Sequence, residues 1–458
     1  MAKCSKRPLF EWLWLGAPVA IWFAYQPLFR LGQDGTMYFE LSITMLYVAI
    51  MALASLPSIW RHIREIMASR MVWVVTIFVL ISIMSIFWTM NMTRGILTVG
   101  VTGMLYVVFL GAVAERARLH MLMSRIIRVY IGSALVMCGL ALTQFFAGIW
   151  LDASTTLLCA GCVAEQFGFA RPNIFLIEPQ FLGNALLPAA LLLTRQVVLG
   201  TKDWRVRTAL SIVMTVLVLT LSRGALLAFI AGLLVLWVIY RHEVRRWFLC
   251  AGLGIASLGC ALILQGTAAV LNPQINETFR GAVAKSIHQL TMGVVDVREA
   301  VPQEQSIEAT QQNKDSEPHF DGYVAESTDA RMTRTELALR RWRVDVPTIL
   351  FGVGIGSAGM AIHEMFPDEL GAREIVQNEY VEVLLERGVI GFLGFLAVLG
   401  GLFVITRKRS WCFAIITAFM VQWLFFSGYP NALHIYLIFS LLAVATLPRG
   451  QLGPATRY

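Results

Sequence analysis

The chain is short of charge. Only 14% of its 458 residues are Asp, Glu, Lys or Arg, against about a quarter in an ordinary soluble domain. It has no HExxH helix, no phosphate-binding P-loop and no GxSxG elbow, so the familiar zinc-protease, NTPase and serine-hydrolase chemistries are not indicated. Its seven cysteines show no zinc spacing. Cys159 and Cys162 form Cys-Ala-Gly-Cys, which reads either as a small disulfide or as two free thiols, and without a thioredoxin-like pattern no redox role follows. Cys4, Cys138, Cys250, Cys260 and Cys412 read as packing or cytoplasmic residues.

What fills the chain is hydrocarbon: 57% of residues are hydrophobic and the mean hydropathy is +0.67. Several apolar runs reach or approach 18 residues, the length that crosses a bilayer as a helix. They do not alternate as barrel strands would. The expectation is an all-α integral membrane protein with about twelve spans, at 10–29, 38–57, 71–88, 96–114, 129–150, 174–194, 208–222, 224–240, 247–271, 388–405, 411–428 and 431–447. Lys and Arg gather in every second connection, while the alternate short ones hold only Arg30, Arg94, Arg171 and Arg223. The positive-inside rule then places both termini in the cytoplasm. Nine spans fill 1–271, a large extracytoplasmic loop fills 272–387, and three spans fill 388–458. The net charge of +8 is mostly this topology signal and calls for no nucleic acid. The first span follows Lys3, Lys6 and Arg7 without a clear cleavage site, and reads as a retained anchor.

The run 209–240 carries one charge, Arg223, near its middle. Basic clusters at 202–207 and 241–246 flank it on both sides, so it must cross the membrane an even number of times. Its 32 residues are too long for one crossing and short for two full ones. A tight hairpin follows, turning at Leu221-Ser222-Arg223-Gly224, with Gly224 supplying the freedom to bend. Arg223 then sits at or below the outer surface, facing either a water-filled cavity or anion, or snorkelling at a helix end.

Other outer segments repeat the theme. "ARPNIFLIEPQFLGN" holds Arg171, and also Glu178 beside Pro179, whose missing N–H would break backbone bonding at that depth. Glu178 reads either as an acceptor or base near the cavity or as a salt-bridge partner of Arg171 or Arg223. Residues 296–329 are polar, acidic and without periodicity, as an exposed and disordered loop would be. "ARMTRTELALRRWR" follows, and as a helix it brings Arg331, Arg334 and Arg341 to one face while Arg340 points away. Such a face suits a diphosphate, or is simply solvated. "FGVGIGSAG" lacks a βαβ setting, so a flexible glycine-rich turn is expected in place of a nucleotide site. In "QNEYVEVLLERGVIGFLGF", Asn378, Glu382 and Glu386 recur every four residues and give an apolar helix one polar face.

"LSRGALLAF", "RPNIFLIEPQFLGN", "ARMTRTELAL" with "PTILFGVGIGS", and "QNEYVEVLLERGVIGFLGF", in that order over 165–400, together resemble the bacterial O-antigen ligase and polymerase family. The resemblance implies a multi-span glycosyltransferase fold acting outside the cytoplasmic membrane. Its donor would be a glycan on undecaprenyl diphosphate and its acceptor a glycan, a lipid or a protein side chain. No metal or nucleotide cofactor is implied. Arg223 and Arg331 become diphosphate-binding candidates, with Arg334, Arg341 and Arg171 as further cationic candidates. Family ligases carry a His just before the Asn of the last motif, proposed to activate the acceptor, and here that position is Gln377. A glutamine cannot be a general base at neutral pH, which favours a polymerase-like member. His363, Glu382 and Glu178 are the alternative bases. A transporter with Arg223 and Glu178 in its path is the competing class, but no second copy of the Arg-Gly hairpin accompanies it as an inverted repeat would.

Overall fold

The computed structural model describes residues 8–24, 27–31, 39–150, 165–166, 169–176, 178–271, 328–371, 375–426 and 433–446. The helices are α1 Pro8–Ala20, α2 Ile43–Met67, α3 Arg70–Met84, α4 Met92–Ala114, α5 Arg116–Trp150, α6 Pro179–Val198, α7 Trp204–Leu219, α8 Arg223–Ile239, α9 Val244–Leu271, α10 Thr328–Trp342, α11 Val346–Phe351, α12 Ala358–Met365, α13 Glu379–Thr406, α14 Ser410–Gln422 and α15 Leu433–Thr446. Among the described residues, seven helices are long and apolar enough to cross a membrane, and four shorter apolar ones accompany them. The chain is a multi-pass membrane protein.

Twelve helices overlap the twelve expected segments, but their bounds differ. The first segment is cut short: helix gives way to a 3-10 turn at Ile21–Phe23, and Pro27–Leu31 pairs antiparallel with Phe39–Ser42. A second small pair joins Glu165–Gln166 to Phe169–Ala170, so the fold is not wholly helical. The basic stretch 116–128, expected as a loop, is the first third of α5, and only Glu115 separates it from α4. The segment 272–327 and the Cys159/Cys162 pair lie outside the described residues.

Polar residues at the breaks between apolar runs start the helices. The side chains of Ser42, Asn91, Asp203, Ser222 and Asp345 each accept a backbone N–H in the first turn that follows, satisfying donors that the helix cannot. Small residues then set which helices meet. Along α8, Gly224, Ala228 and Gly232 recur every four residues and all are buried. A Cβ on Gly224 would lie 3.0 Å from the Phe425 Cβ, and one on Gly232 would lie 2.7 Å from Leu191 and 3.2 Å from the Ala414 carbonyl. This stripe lets α8 close against α14 and α6, as small residues do where hydrocarbon offers no hydrophobic drive. At the opposite end of the same three helices, Arg195 Nε donates to Tyr240 Oη at 3.3 Å and to Ser410 Oγ at 3.1 Å. The three-helix unit is therefore tied at both ends, with α6 buried along nearly its whole length.

Helix α13 bends inside. Gly388 has φ 60° and ψ −170°, which breaks the helical ladder. The carbonyls freed by the bend are taken by the glycine-rich segment: Val353 N–H donates to Leu385 O and Gly354 N–H to Glu386 O, both at 2.9 Å. Gly352, Gly354 and Gly356 all have positive φ. A Cβ on Gly352 would stand 2.4 Å from the Glu386 carbonyl, and one on Gly354 would stand 2.3 Å from the Thr89 Cα. The turn is therefore wedged, not flexible as the composition suggested. On its other side Thr89 Oγ1 donates to Ile355 O at 2.8 Å, and Ser357 Oγ accepts Asn91 N–H at 3.1 Å.

Candidate functional site

The α7–α8 hairpin is present and its connection is three residues long. The bend falls on Leu221, with φ 49°. Gly224 is not the left-handed residue. It is small because Phe425 and Gln422 press on it. Ser222 caps α8 and Arg223 is its first residue, half-buried. A guanidinium and the positive end of a 17-residue helix thus share one spot, a combination that attracts anions.

Of the other candidates, Arg171 reaches this turn directly; Gln180 and Glu379, not singled out in the sequence, bond the end of α14 beside it, and Arg334 bonds the segment that leads to Gln377. Arg171, buried, donates from Nε to Thr220 O at 2.8 Å and so supports the turn from below. Its own segment is clamped by Gln144 of α5, whose Oε1 accepts the Asn173 and Ile174 N–H groups at 3.0 and 2.9 Å, while its Nε2 donates to Asn173 Oδ1. That clamp holds Ile174 at φ 53°. From α6, Gln180 Nε2 donates to Phe425 O at 2.9 Å, and Gly183 lies close enough that a Cβ would meet Ala225 at 2.7 Å. From α13, Glu379 N–H bridges Trp423 O and Phe426 O. From α10, the buried Arg334 donates to Ile375 O at 3.5 Å, two residues before Gln377.

Glu178 is the N-cap position of α6 and half-exposed. Pro179 stands at N1, where a missing N–H costs nothing; it starts the helix and does not break one. Gln377 is buried at φ 59°. Asn378 is likewise outside the helix: its Oδ1 caps α13 by accepting from Tyr380 and Val381 N–H. The polar face thus narrows to Glu382 and Glu386, both buried. Glu386 accepts the Ala358 N–H and so serves the start of α12, with Arg94, Arg387 and Glu382 around it.

Three candidates lie elsewhere or beyond description. His363 Nδ1 bonds Leu370 O at 2.7 Å within its own segment. Arg341 lines a cavity walled by α3 and α13. Arg331 falls within α10, and its side chain is outside the described residues. Outside the membrane zone, Asp345 is held below the usual carboxylate range, chiefly because it accepts the Thr348 backbone N–H, with the Thr348 side chain and Arg341 adding to the effect.

Sequence reasoning missed the buried amides. Asn184 lies one helical turn beyond Gln180 on α6, and Gln422 ends α14 against Gly224. Neither side-chain amide finds a hydrogen-bond partner among the described residues. Their signal was available: single amides in the apolar runs "FLGNALL" and "FMVQWLFF". Glu379 was missed too. It is buried and accepts from Tyr436 Oη at 3.0 Å.

One end of the three-helix unit thus brings together Arg171, Arg223 and the buried amides of Asn184 and Gln422. Residues 208–396 match the family model for O-antigen ligase. This stretch is O-antigen ligase-like, and it carries Arg223, Arg331, Arg334, Arg341, His363, Gln377 and Glu382, while Arg171 and Glu178 precede it. A ligase- or polymerase-like role in surface glycan assembly follows. No curated protein matches the chain.

Proposed function

We propose that the protein transfers a glycan from a polyprenyl-diphosphate carrier to an acceptor hydroxyl on the outer side of the cytoplasmic membrane. The observation that carries this reading is Arg223, fixed at the first residue of α8 by a capped, three-residue turn that Arg171 supports. In the transfer, the acceptor oxygen bonds the anomeric carbon, the bond from that carbon to the diphosphate breaks, and the diphosphate leaves with the electron pair. Arg223 and the α8 N-terminus meet the charge that develops on it, the largest kind of contribution a fixed site makes. The hydroxyl proton passes to a carboxylate. Glu178 is the candidate favoured by its partial exposure and its place beside Gln180, whereas Glu382 is buried. Asn184 and Gln422 offer hydrogen bonds beneath the turn. Gln377 stands where family ligases carry a histidine, and its inability to act as a base favours a polymerase-type reaction, chain growth in place of capping.

Transfer from a carrier-linked donor by purified protein, at matched amounts of folded material, tests the proposal. Arg223→Ala should lose roughly 10²–10³-fold in turnover, the scale for one electrostatic group aimed at developing charge. Arg223→Lys keeps the charge without the fork and should retain a fraction. Near-normal turnover in Arg223→Ala would overturn the reading. In cells, single repeat units on the surface of a deletion strain identify a polymerase, and full-length carrier-linked polymer a ligase.

A further inference from the structure

A cavity of about 900 Å³ opens between the end of α3, α11 and the bend of α13. One wall is hydrocarbon. Leu80, Met84 and Ile390 line it and are 54%, 52% and 40% exposed, so protein covers these span residues only in part. The other wall includes two arginines, Arg341 of α10 and Arg387 of α13. Arg387 is only 3% exposed, 5.8 Å from the centroid of the Phe78 ring and 3.6 Å from Glu386 Oε2. The carboxylates that face these arginines, Glu386 for Arg387 and Asp345 for Arg341, are not part of the lining. The half-exposed Arg341 therefore offers a visitor positive charge at one end of the cavity, with the buried Arg387–Glu386 pair behind it and apolar surface at the other end. Trp88 also lines the cavity, its indole N–H donating to Phe351 O at 3.3 Å; tryptophan is a residue enriched at membrane boundaries.

We propose that this cavity holds an anionic bilayer phospholipid. Its phosphate sits at Arg341, with Arg387 behind, where a guanidinium fork matches phosphate oxygens, and an acyl chain covers the α3–α13 wall. A free phosphate would meet the arginines but leave the apolar α3–α13 wall unused. A glycan carrier is disfavoured, because among the lining residues only Thr348 and Trp88 add polar side-chain groups, too few to receive sugar hydroxyls. The site is separate from the Arg223 turn, and its occupancy does not depend on glycan transfer.

The full-length protein in nanodiscs tests this through Trp88, whose emission is isolated by subtraction against Trp88→Phe. Brominated-chain phosphatidylglycerol should quench that emission at a mole fraction roughly ten-fold lower than brominated phosphatidylcholine, the scale of one charge-assisted contact. Arg341→Gln, a change at a half-exposed side chain, should abolish the preference, and glycerol phosphate in solution should not displace the lipid. Equal quenching by both lipids would show ordinary annular contact and overturn the proposal. Retention of the preference in Arg341→Gln, or displacement by glycerol phosphate or by a polyprenyl diphosphate at low mole fraction, would overturn it equally.

Discussion

Gly388→Ala should be among the most damaging single-methyl additions in the chain. The residue sits at φ 60°, ψ −170°, a region that only glycine occupies freely, and forcing alanine there costs about 1–3 kcal/mol. The new Cβ would also stand 2.3 Å from both the carbon and the oxygen of the Leu350 carbonyl. Both are backbone atoms, so relief requires the glycine-rich turn to withdraw from α13. That withdrawal stretches the Val353–Leu385 and Gly354–Glu386 hydrogen bonds, worth about 1 kcal/mol each. The expected loss is about 3–5 kcal/mol, a large share of a typical folding free energy of roughly 5–15 kcal/mol. The measurement is thermal or denaturant unfolding of detergent-solubilised protein, followed by tryptophan fluorescence. Gly400→Ala is the internal reference. It lies on the same helix with no atom within 4 Å of its added Cβ, and should be neutral or gain up to about 1 kcal/mol from helix propensity. Equal stability of the two variants would refute the wedge between the turn and the bend.

Gln144→Ala should cost about 2–3 kcal/mol, since it strands the Asn173 and Ile174 N–H groups in a buried place. It should also lower transfer through the loosened Arg171, whereas a loss of stability alone at matched folded protein would separate the clamp from the site. Asp345 contributes stability that is complete above its unfolded-state pKa and is lost as pH falls through its lowered folded value. The protection factor of the Thr348 amide, its exchange measured against the intrinsic rate at each pH, should fall on acidification in the wild type. In Asp345→Asn, which keeps a side-chain acceptor, that pH dependence should vanish; a persisting acid response would place the titration elsewhere.

The hairpin was legible because its evidence is local: basic clusters on both flanks and a length that fits neither one crossing nor two. Its turn was misread because Gly224 is a conspicuous glycine, while the residue that bends is Leu221 and the pressure on Gly224 comes from Phe425, 201 positions away. Similarly, the expected start of the tenth span at 388 coincides with the bend of α13, yet the nine helical residues before it fell within the expected outer segment 272–387, where Glu382 and Glu386 read as the polar face of a helix and Glu379 was not singled out. They are buried because Tyr436, the start of α12 and neighbouring arginines receive them. The glycine-rich turn failed for the opposite reason. Its composition permits freedom, and only the opposing backbones of Thr89 and Glu386 remove it. The arginine cavity was invisible, since its walls come from stretches near 80, 345 and 388 that no local pattern connects.

The bond from Thr89 to the Ile355 carbonyl joins positions 266 residues apart. At about 5–20 residues per second of synthesis, the second partner reaches the membrane roughly 13–50 s after the first. Through that interval the 88–95 connection must wait with the hydroxyl of Thr89 and the amide of Asn91 lacking the Ile355 and Ser357 groups that later receive them. Helices α2 to α4 therefore enter the bilayer as an unfinished half, and the arrival of the glycine-rich turn is a late, closing event in the birth of the molecule. A ribosome stalled before position 350 would leave that half open to proteolysis at residues 88–95, and one stalled beyond position 400 would not.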